Sequence, residues 1–253
     1  MGHNDELKEL YDLARRAMEC QADLGHREII FEAGMRKQKP IDPQPEIPAA
    51  APTTLFEETV SDIQLPQFAS LEEHRAAICN CHKCPLGDTR TKFVYGVGNP
   101  QAKIMFIGEA PGRDEDLQGE PFVGRAGKLL DKILEAIGFT RRDVFIANIL
   151  KCRPPNNRDP QPDEMHLCIP YLKEQIRLIH PQLICALGRI AAHGLLETTT
   201  PLGRLRKIWH RFEETPLLVT YHPAALLRFA EYKRDTWEDM QLLKAEYDRI
   251  NPA

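Results

Sequence analysis

No run of apolar residues in this 253-residue chain reaches the roughly 18 that a membrane-spanning helix needs. The opening "MGHNDELKEL" lacks the basic and apolar regions of a secretion signal. Glu6 stands where an N-terminal acylation motif needs Ser or Thr. These absences point to a cytoplasmic protein with no membrane partner. Cysteine is scarce as well: the seven residues are odd in number, and a reducing compartment disfavours a disulfide scaffold. Clustered cysteines there more often bind metal. No internal repeat is present, so solenoids and propellers are excluded.

A strong basic excess is also missing, since the formal net charge is −4. The charge is unevenly spread, however. Residues 1–72 hold 14 acidic against 7 basic side chains, a local net of −7, which leaves +3 for the remainder. Two stretches concentrate the positive charge, "RRDVFIANILKCRPPNNR" (141–158) and "GRLRKIWHR" (203–211). Each could meet phosphates or could equally form a solvated surface.

Three regions follow from the pattern. Leu7, Leu10, Tyr11, Ala14 and Met18 fall at helical spacing, so residues 1–37 read as a helical N-terminal extension. Residues 38–69, with prolines at 40, 43, 45, 48, 52 and 66, read as an extended linker. The domain proper then covers 70–253. Ser70 and Glu73 have capping-box spacing ahead of a short helix that ends at the cysteine cluster. Beyond it, four short apolar runs, "KIMFIG" (103–108), "DVFIANIL" (143–150), "QLICALG" (182–188) and "PLLVTYH" (216–222), alternate with helical segments. One of those helices stops at Gly138, and a long one starts near residue 232. Alternation of this kind predicts a three-layer α/β/α domain around a mainly parallel, four-stranded sheet. Ligands of such sheets sit at the strand C-terminal ends, where "GEAPG", "NILKCRPP" and "YHPAALLR" converge.

"CNCHKCPLGDTR" (79–90) places three cysteines within six positions. Cys81 and Cys84 form a CxxC half-site and leave Cys79 over. Cys152 and Cys168 are the best partners, because Cys185 lies in an apolar strand and Cys20 in the acidic extension. Spacing alone does not separate zinc from iron–sulfur, since both accept four thiolates.

The motifs "CHKCPLGDTRT", "GNPQAKIMFIGEAPGRDEDLQGEPFVGRAGKLLDKIL", "NILKCRPPNNRDP", "EMHLCIPYL", "ALG" and "HPAALLR" occur in that order. Together, over residues 79 to about 250, they resemble the family 4 uracil-DNA glycosylases. The resemblance implies a [4Fe–4S] cluster held by Cys81, Cys84, Cys152 and Cys168. It also implies an enzyme that takes uracil-containing DNA, single or double stranded, flips the uracil out and hydrolyses its N-glycosidic bond. Phe122 matches the family's stacking residue, with Gly108 and Ala110 lining the base. Asn148 matches the reader of the uracil edge, His222 the donor near O2, and Glu109 the carboxylate that orients water or stabilises the sugar cation. Glu115 matches a residue that crowds C5 and helps reject thymine. Leu226 is the expected wedge, with Leu227 its rival, and Arg153 and Arg228 are expected on the DNA backbone. A monomer is expected, with residues 1–69 a possible tether to a sliding clamp or other repair protein.

Two rivals remain at this level. A uracil-DNA binder of the same fold traps its product through a histidine in an inserted basic loop after the Asn-bearing strand. Here that segment reads "RPPNNRDPQP", with neither histidine nor insertion. The other rival is a non-catalytic iron–sulfur or zinc DNA-binding module.

Overall fold

A computed structural model describes residues 68–252, so the expected helical extension and almost all of the linker lie outside the described residues. Among the described residues no helix is long and apolar enough to cross a membrane. The first helix, α1 (Leu71–Ile78), starts as the sequence predicts: Ser70 Oγ accepts from the Glu73 amide at 3.1 Å. Glu73 reaches back one residue further than a standard capping box, to the Ala69 amide at 2.8 Å. A short turn of helix, α2 (Leu86–Thr89), follows the CxxC segment.

The sheet has six strands rather than the expected four. They are β1 (Val97–Gly98), β2 (Ile104–Gly108), β3 (Phe145–Asn148), β4 (Leu183–Leu187), β5 (Trp209–Phe212) and β6 (Thr215–Thr220), in spatial order β1-β3-β2-β4-β6-β5. The four apolar runs form the parallel centre, β3-β2-β4-β6. The two additional strands are antiparallel edges. β1 is only two residues long, and β5 is "WHRF" with mostly exposed side chains, so neither carries an apolar run.

Each central strand sends alternate residues to opposite faces, and both faces are covered. Met105 and Ile107 of β2, Ile184 and Ala186 of β4, and Leu217 and Val219 of β6 join one apolar cluster. That cluster is closed by α1, α5 (Pro162–Ile179), α6 (Arg189–Leu196) and the short α7 (Leu202–Leu205). Ile104 and Phe106 of β2, Ile146 of β3 and Leu218 of β6 join the other. It is closed by Leu130 and Leu134 of α4 (Arg125–Ala136) and by Met240 and Leu243 of α9 (Tyr232–Ile250). Between them in the chain lie two short helices at strand ends, α3 (Arg113–Gln118) and α8 (Pro223–Arg228). The predicted stop of α4 is present: Gly138 sits at φ +79° with open space around it.

One buried charge network ties α9 to the sheet. Arg206 Nε donates to Asp239 Oδ2 at 2.7 Å, and Thr220 Oγ1 donates to the same oxygen at 2.7 Å. Arg206 also reaches Asp235 at 3.1 Å. Arg206 belongs to the second basic stretch, so part of that positive charge is structural rather than free for phosphates. Breaking a buried pair strands the remaining charge. Asp239→Ala is therefore expected to destabilise the domain by about 3–5 kcal/mol in urea unfolding. The double replacement Arg206→Met/Asp239→Ala is expected to cost less than Asp239→Ala alone. A single-variant loss of under about 1 kcal/mol would contradict the assignment.

Candidate active site and thiol cluster

β2 and β3 run in register with Gly108 opposite Asn148, so the loops after both strands leave the sheet side by side. The Ile149 amide donates to the Gly108 carbonyl at 3.0 Å, and the Leu150 amide to the Glu109 carbonyl at 3.0 Å. Asn148 is 2% exposed. Its backbone carbonyl accepts from Lys151 Nζ at 2.7 Å, and that fully buried ammonium is held in turn by Gln175 Oε1 at 2.6 Å. Burial lowers the Lys151 pKa to about 8. The backbone of Asn148 is therefore fixed, yet its side-chain Oδ1 is buried without any hydrogen-bond partner.

That orphan oxygen meets Phe122 above Gly108. A Cβ on Gly108 would strike Asn148 Oδ1 and come 2.7 Å from Phe122 Cζ, so only glycine fits beneath them. Phe122 is buried, and its backbone stands at φ +55°, in the left-handed region. For a bulky side chain that conformation costs roughly 1–2 kcal/mol and must be held by its surroundings. Glu115 supplies part of the hold. Its Oε1 accepts from the Val123 and Gly124 amides at 2.9 and 3.0 Å, and its Oε2 from the Gly112 amide at 3.1 Å. Glu115, expected on the C5 side of a base, thus has both of its oxygens engaged by backbone amides.

The His222 ring also neighbours Phe122, with ring centroids 5.4 Å apart and planes 31° apart. It is the N-cap of α8, and its Nδ1 accepts from the Ala224 amide at 3.1 Å. In the neutral ring the proton must then sit on Nε2, which becomes a donor. Burial lowers the His222 pKa to about 4 despite the nearby Glu115 carboxylate, so the ring is neutral at ordinary pH. Gly188 sits beneath it at φ +90°, where a Cβ would come 2.8 Å from that of His222. Glu109 is half-buried. Burial first, and the Asp159 charge second, raise its pKa to about 7, with Arg189 opposing. Arg189 and Asp159 pair with each other at 2.8 Å. Ala110, next in the loop, is partly buried against the apolar cluster of β2.

The two candidate wedge leucines differ in exposure. Leu226 is 3% exposed and lines a groove of about 220 Å³ between α4 and α9 with Ile133, Trp237 and Met240. Leu227 is 43% exposed, and Arg228 beside it is also exposed. Helical spacing alone could not tell which leucine faces inward. Arg153 donates through Nε to Asn157 Oδ1 at 2.8 Å in an exposed loop. Arg158 of the same basic stretch is tied to Glu164 by bonds of 2.9 and 2.6 Å.

The cysteines separate by face. Cys152 lies in the apolar cluster of the α1/α5 face, with Cys81, Cys84 and Cys168 packed against it, whereas Cys185 belongs to the opposite face. Cys81, Cys84 and Cys168 all lie close enough to Cys152 for their charges to be felt in the same pocket. Arg90 donates to Cys152 Sγ at 3.4 Å and also to the carbonyls of Cys81 and Cys79, while Tyr171 Oη donates to Cys81 Sγ at 3.3 Å. Burial pushes the Cys168 thiol up to about 12, and also raises Cys152. Without a cation among them these groups stay protonated at neutral pH. Among the described residues no three or more His, Cys, Asp or Glu side chains stand ready to hold a metal ion directly. Sequence reasoning passed over Lys151, Gln175, Arg90 and Tyr171, since a lone polar residue in an apolar run carries no signal of the partner it will meet.

The family model described as "Uracil DNA glycosylase superfamily" matches residues 95–241. The chain is 46% identical to a type-4 uracil-DNA glycosylase of Archaeoglobus fulgidus over 180 residues, which cover 68% of this chain and 90% of that protein. It is 43% identical to one from Sulfurisphaera tokodaii over 185 residues, 69% and 84% of the two chains. A third, from Saccharolobus solfataricus, is 45% identical over 173 residues, covering 65% and 80%. With matches extending over most of these relatives, the chain belongs to the uracil-DNA glycosylase superfamily and, within it, to the type-4 enzymes.

Proposed function

We propose that this protein releases uracil from DNA by hydrolysing the N-glycosidic bond of a flipped-out nucleotide, leaving an abasic site. The observation that carries the reading is the buried, partnerless Oδ1 of Asn148 beside Phe122, a buried aromatic ring that the neutral His222 also neighbours. Uracil presents an N3–H donor beside an O4 acceptor, and one amide side chain meets both. Phe122 supplies the stacking face. His222, neutral and protonated on Nε2, donates to O2 as negative charge moves onto the departing base. A positioned donor of this kind is worth about 2.7–4 kcal/mol in the transition state. Glu109, when ionised, orients the attacking water or stabilises the cationic sugar. Leu227 and Arg228 project from α8 and fit a wedge and a phosphate contact, with Leu226 anchoring the helix. In this reading the enzyme is a cytoplasmic monomer, with residues 1–69 tethering a repair partner.

The donor set of Cys81, Cys84, Cys152 and Cys168 fits an iron–sulfur cluster. Their chemistry suits such a group: four thiols on one apolar cluster, two of them accepting hydrogen bonds. Bound there, it would staple the segment after β3 to α5 and the CxxC turn. Anaerobically purified protein is accordingly expected to be brown and to hold about four irons per chain. Cys152→Ser or Cys168→Ser should remove the colour, whereas Cys79→Ser and Cys185→Ser should keep it. Stoichiometric zinc without iron would contradict the assignment.

The enzymatic reading is tested by multiple-turnover release of free uracil, set against Asn148→Asp. An ionised carboxylate cannot donate to O4, so uracil release is expected to fall about 100-fold or more, with weak cytosine release appearing. Near-normal uracil release by Asn148→Asp would assign base reading to another residue. Stoichiometric binding without turnover by the wild type would favour the binding-module rival.

The pH profile checks Glu109. A carboxyl with a raised pKa must lose its proton to act, so activity is expected to rise with pH to a plateau above about 7. His222, lowered to about 4, stays neutral across this limb. The Asp159 charge favours the protonated form of Glu109, so Asp159→Asn should move the limb to lower pH. Glu109→Gln should abolish it along with most of the rate. An unmoved limb in both variants would remove Glu109 from the reaction.

A further inference from the structure

We propose that Arg141 is a positioning residue for base release that acts through Phe122, an inference that rests on Phe122 being the platform for the flipped base. Arg141 opens the first basic stretch and reads in the sequence as a candidate for phosphate. The structure turns it inward. Its Nη2 donates to the Pro121 carbonyl at 2.6 Å and its Nη1 to the Phe122 carbonyl at 2.9 Å. Nη1 also pairs with Asp131 Oδ1 of α4 at 3.0 Å, and the Arg141 side chain is 26% exposed.

Two consecutive carbonyls in an extended chain point in opposite directions. To be received by one guanidinium they must be swung to the same side, and the left-handed φ of Phe122 is what does this. The planar fork of Arg141 thus fits this turned backbone and not an extended one. A lysine, a single point charge on a flexible stem, cannot reproduce that geometry. On the other side of the same turn, Glu115 takes the amides of Val123 and Gly124. Residues 121–124 are therefore gripped by a cation through their carbonyls and by an anion through their amides. Gly127 completes the fit, because any Cβ there would run into the Phe122 carbonyl. The ring is delivered over Gly108 and beside His222 by this backbone grip. Neither Arg141 nor Asp131 needs to touch the base.

A ring displaced by a fraction of its width loses stacking and misaligns the base with its donor. The expected effect of Arg141→Ala on single-turnover uracil release is a fall of about 10–100-fold. Affinity for duplex DNA lacking uracil should stay within about threefold, because the grip makes no phosphate contact. Arg141→Lys should fall between the two. The decisive readout is a double-mutant cycle with Phe122→Ala: Arg141→Ala should add nothing once the ring is gone. Should Arg141→Ala fail to fold, Arg141→Lys enters the same cycle. The proposal is overturned by a fall of less than about twofold in the wild-type background. It is equally overturned by an undiminished fall in the Phe122→Ala background, which would make Arg141 a stability residue, or by loss of affinity for uracil-free DNA in step with the rate. Wild-type uracil release together with a fully active Phe122→Ala would instead overturn the platform reading and this proposal with it. Absence of uracil release by the wild type would overturn the glycosylase reading beneath both.

Discussion

A carbonyl oxygen buried without a hydrogen-bond partner costs roughly 1–3 kcal/mol, and Asn148 Oδ1 is such an atom in the described part of this chain. The surrounding structure is arranged to keep it in place. Parallel pairing of β2 and β3 brings Gly108 opposite it, and the buried Lys151–Gln175 pair fixes its backbone carbonyl. In the proposed reading the missing partner comes from the ligand, as a donor adjacent to an acceptor. Uracil has that edge and cytosine has its inverse. Selectivity built on unpaired polar groups is steep, because the wrong base leaves the cost of burial standing.

The same dry surroundings set the protonation states. Burial keeps the His222 ring neutral with a donor on Nε2, and the Ala224 amide selects that tautomer. Burial also holds Glu109 near neutrality, where a small change in local charge decides whether it is ionised. Both effects are desolvation acting on groups at strand ends, one on a base and one on an acid, and they move the two pKa values in opposite directions. In the proposed reading these are the neutral donor for the leaving base and the titratable carboxylate for the sugar side.

Much of this was legible from residue patterns. The four central strands appear as apolar runs because they are covered on both faces, and the α4 stop is written in Gly138. The edge strands β1 and β5 were not legible, since a two-residue strand has no period and "WHRF" buries only Phe212. Motif resemblance brought together Phe122, Asn148, His222 and Glu109, and the fold places Asn148 and His222 each beside Phe122. It named Leu226 ahead of Leu227 and could not show which of the two packs inward, since that depends on which side of a six-residue helix meets α4 and α9. Nor could it show that Glu115 is spent on backbone amides, because the three close acids of "GRDEDLQG" look alike until one of them finds Gly112, Val123 and Gly124. Cys185 and Cys152 differ by the face of the sheet they occupy, and that difference emerges only once the sheet is built.

The central claim is that Asn148 Oδ1 awaits the N3–H of uracil, and a crystal structure of the full chain soaked with free uracil tests it most directly. The account expects the base stacked on Phe122, with N3 about 2.9 Å from Asn148 Oδ1 and O2 within hydrogen-bond distance of His222 Nε2. A uracil bound with its N3–H turned away from Asn148, or a pocket that takes cytosine in the same pose, would contradict it.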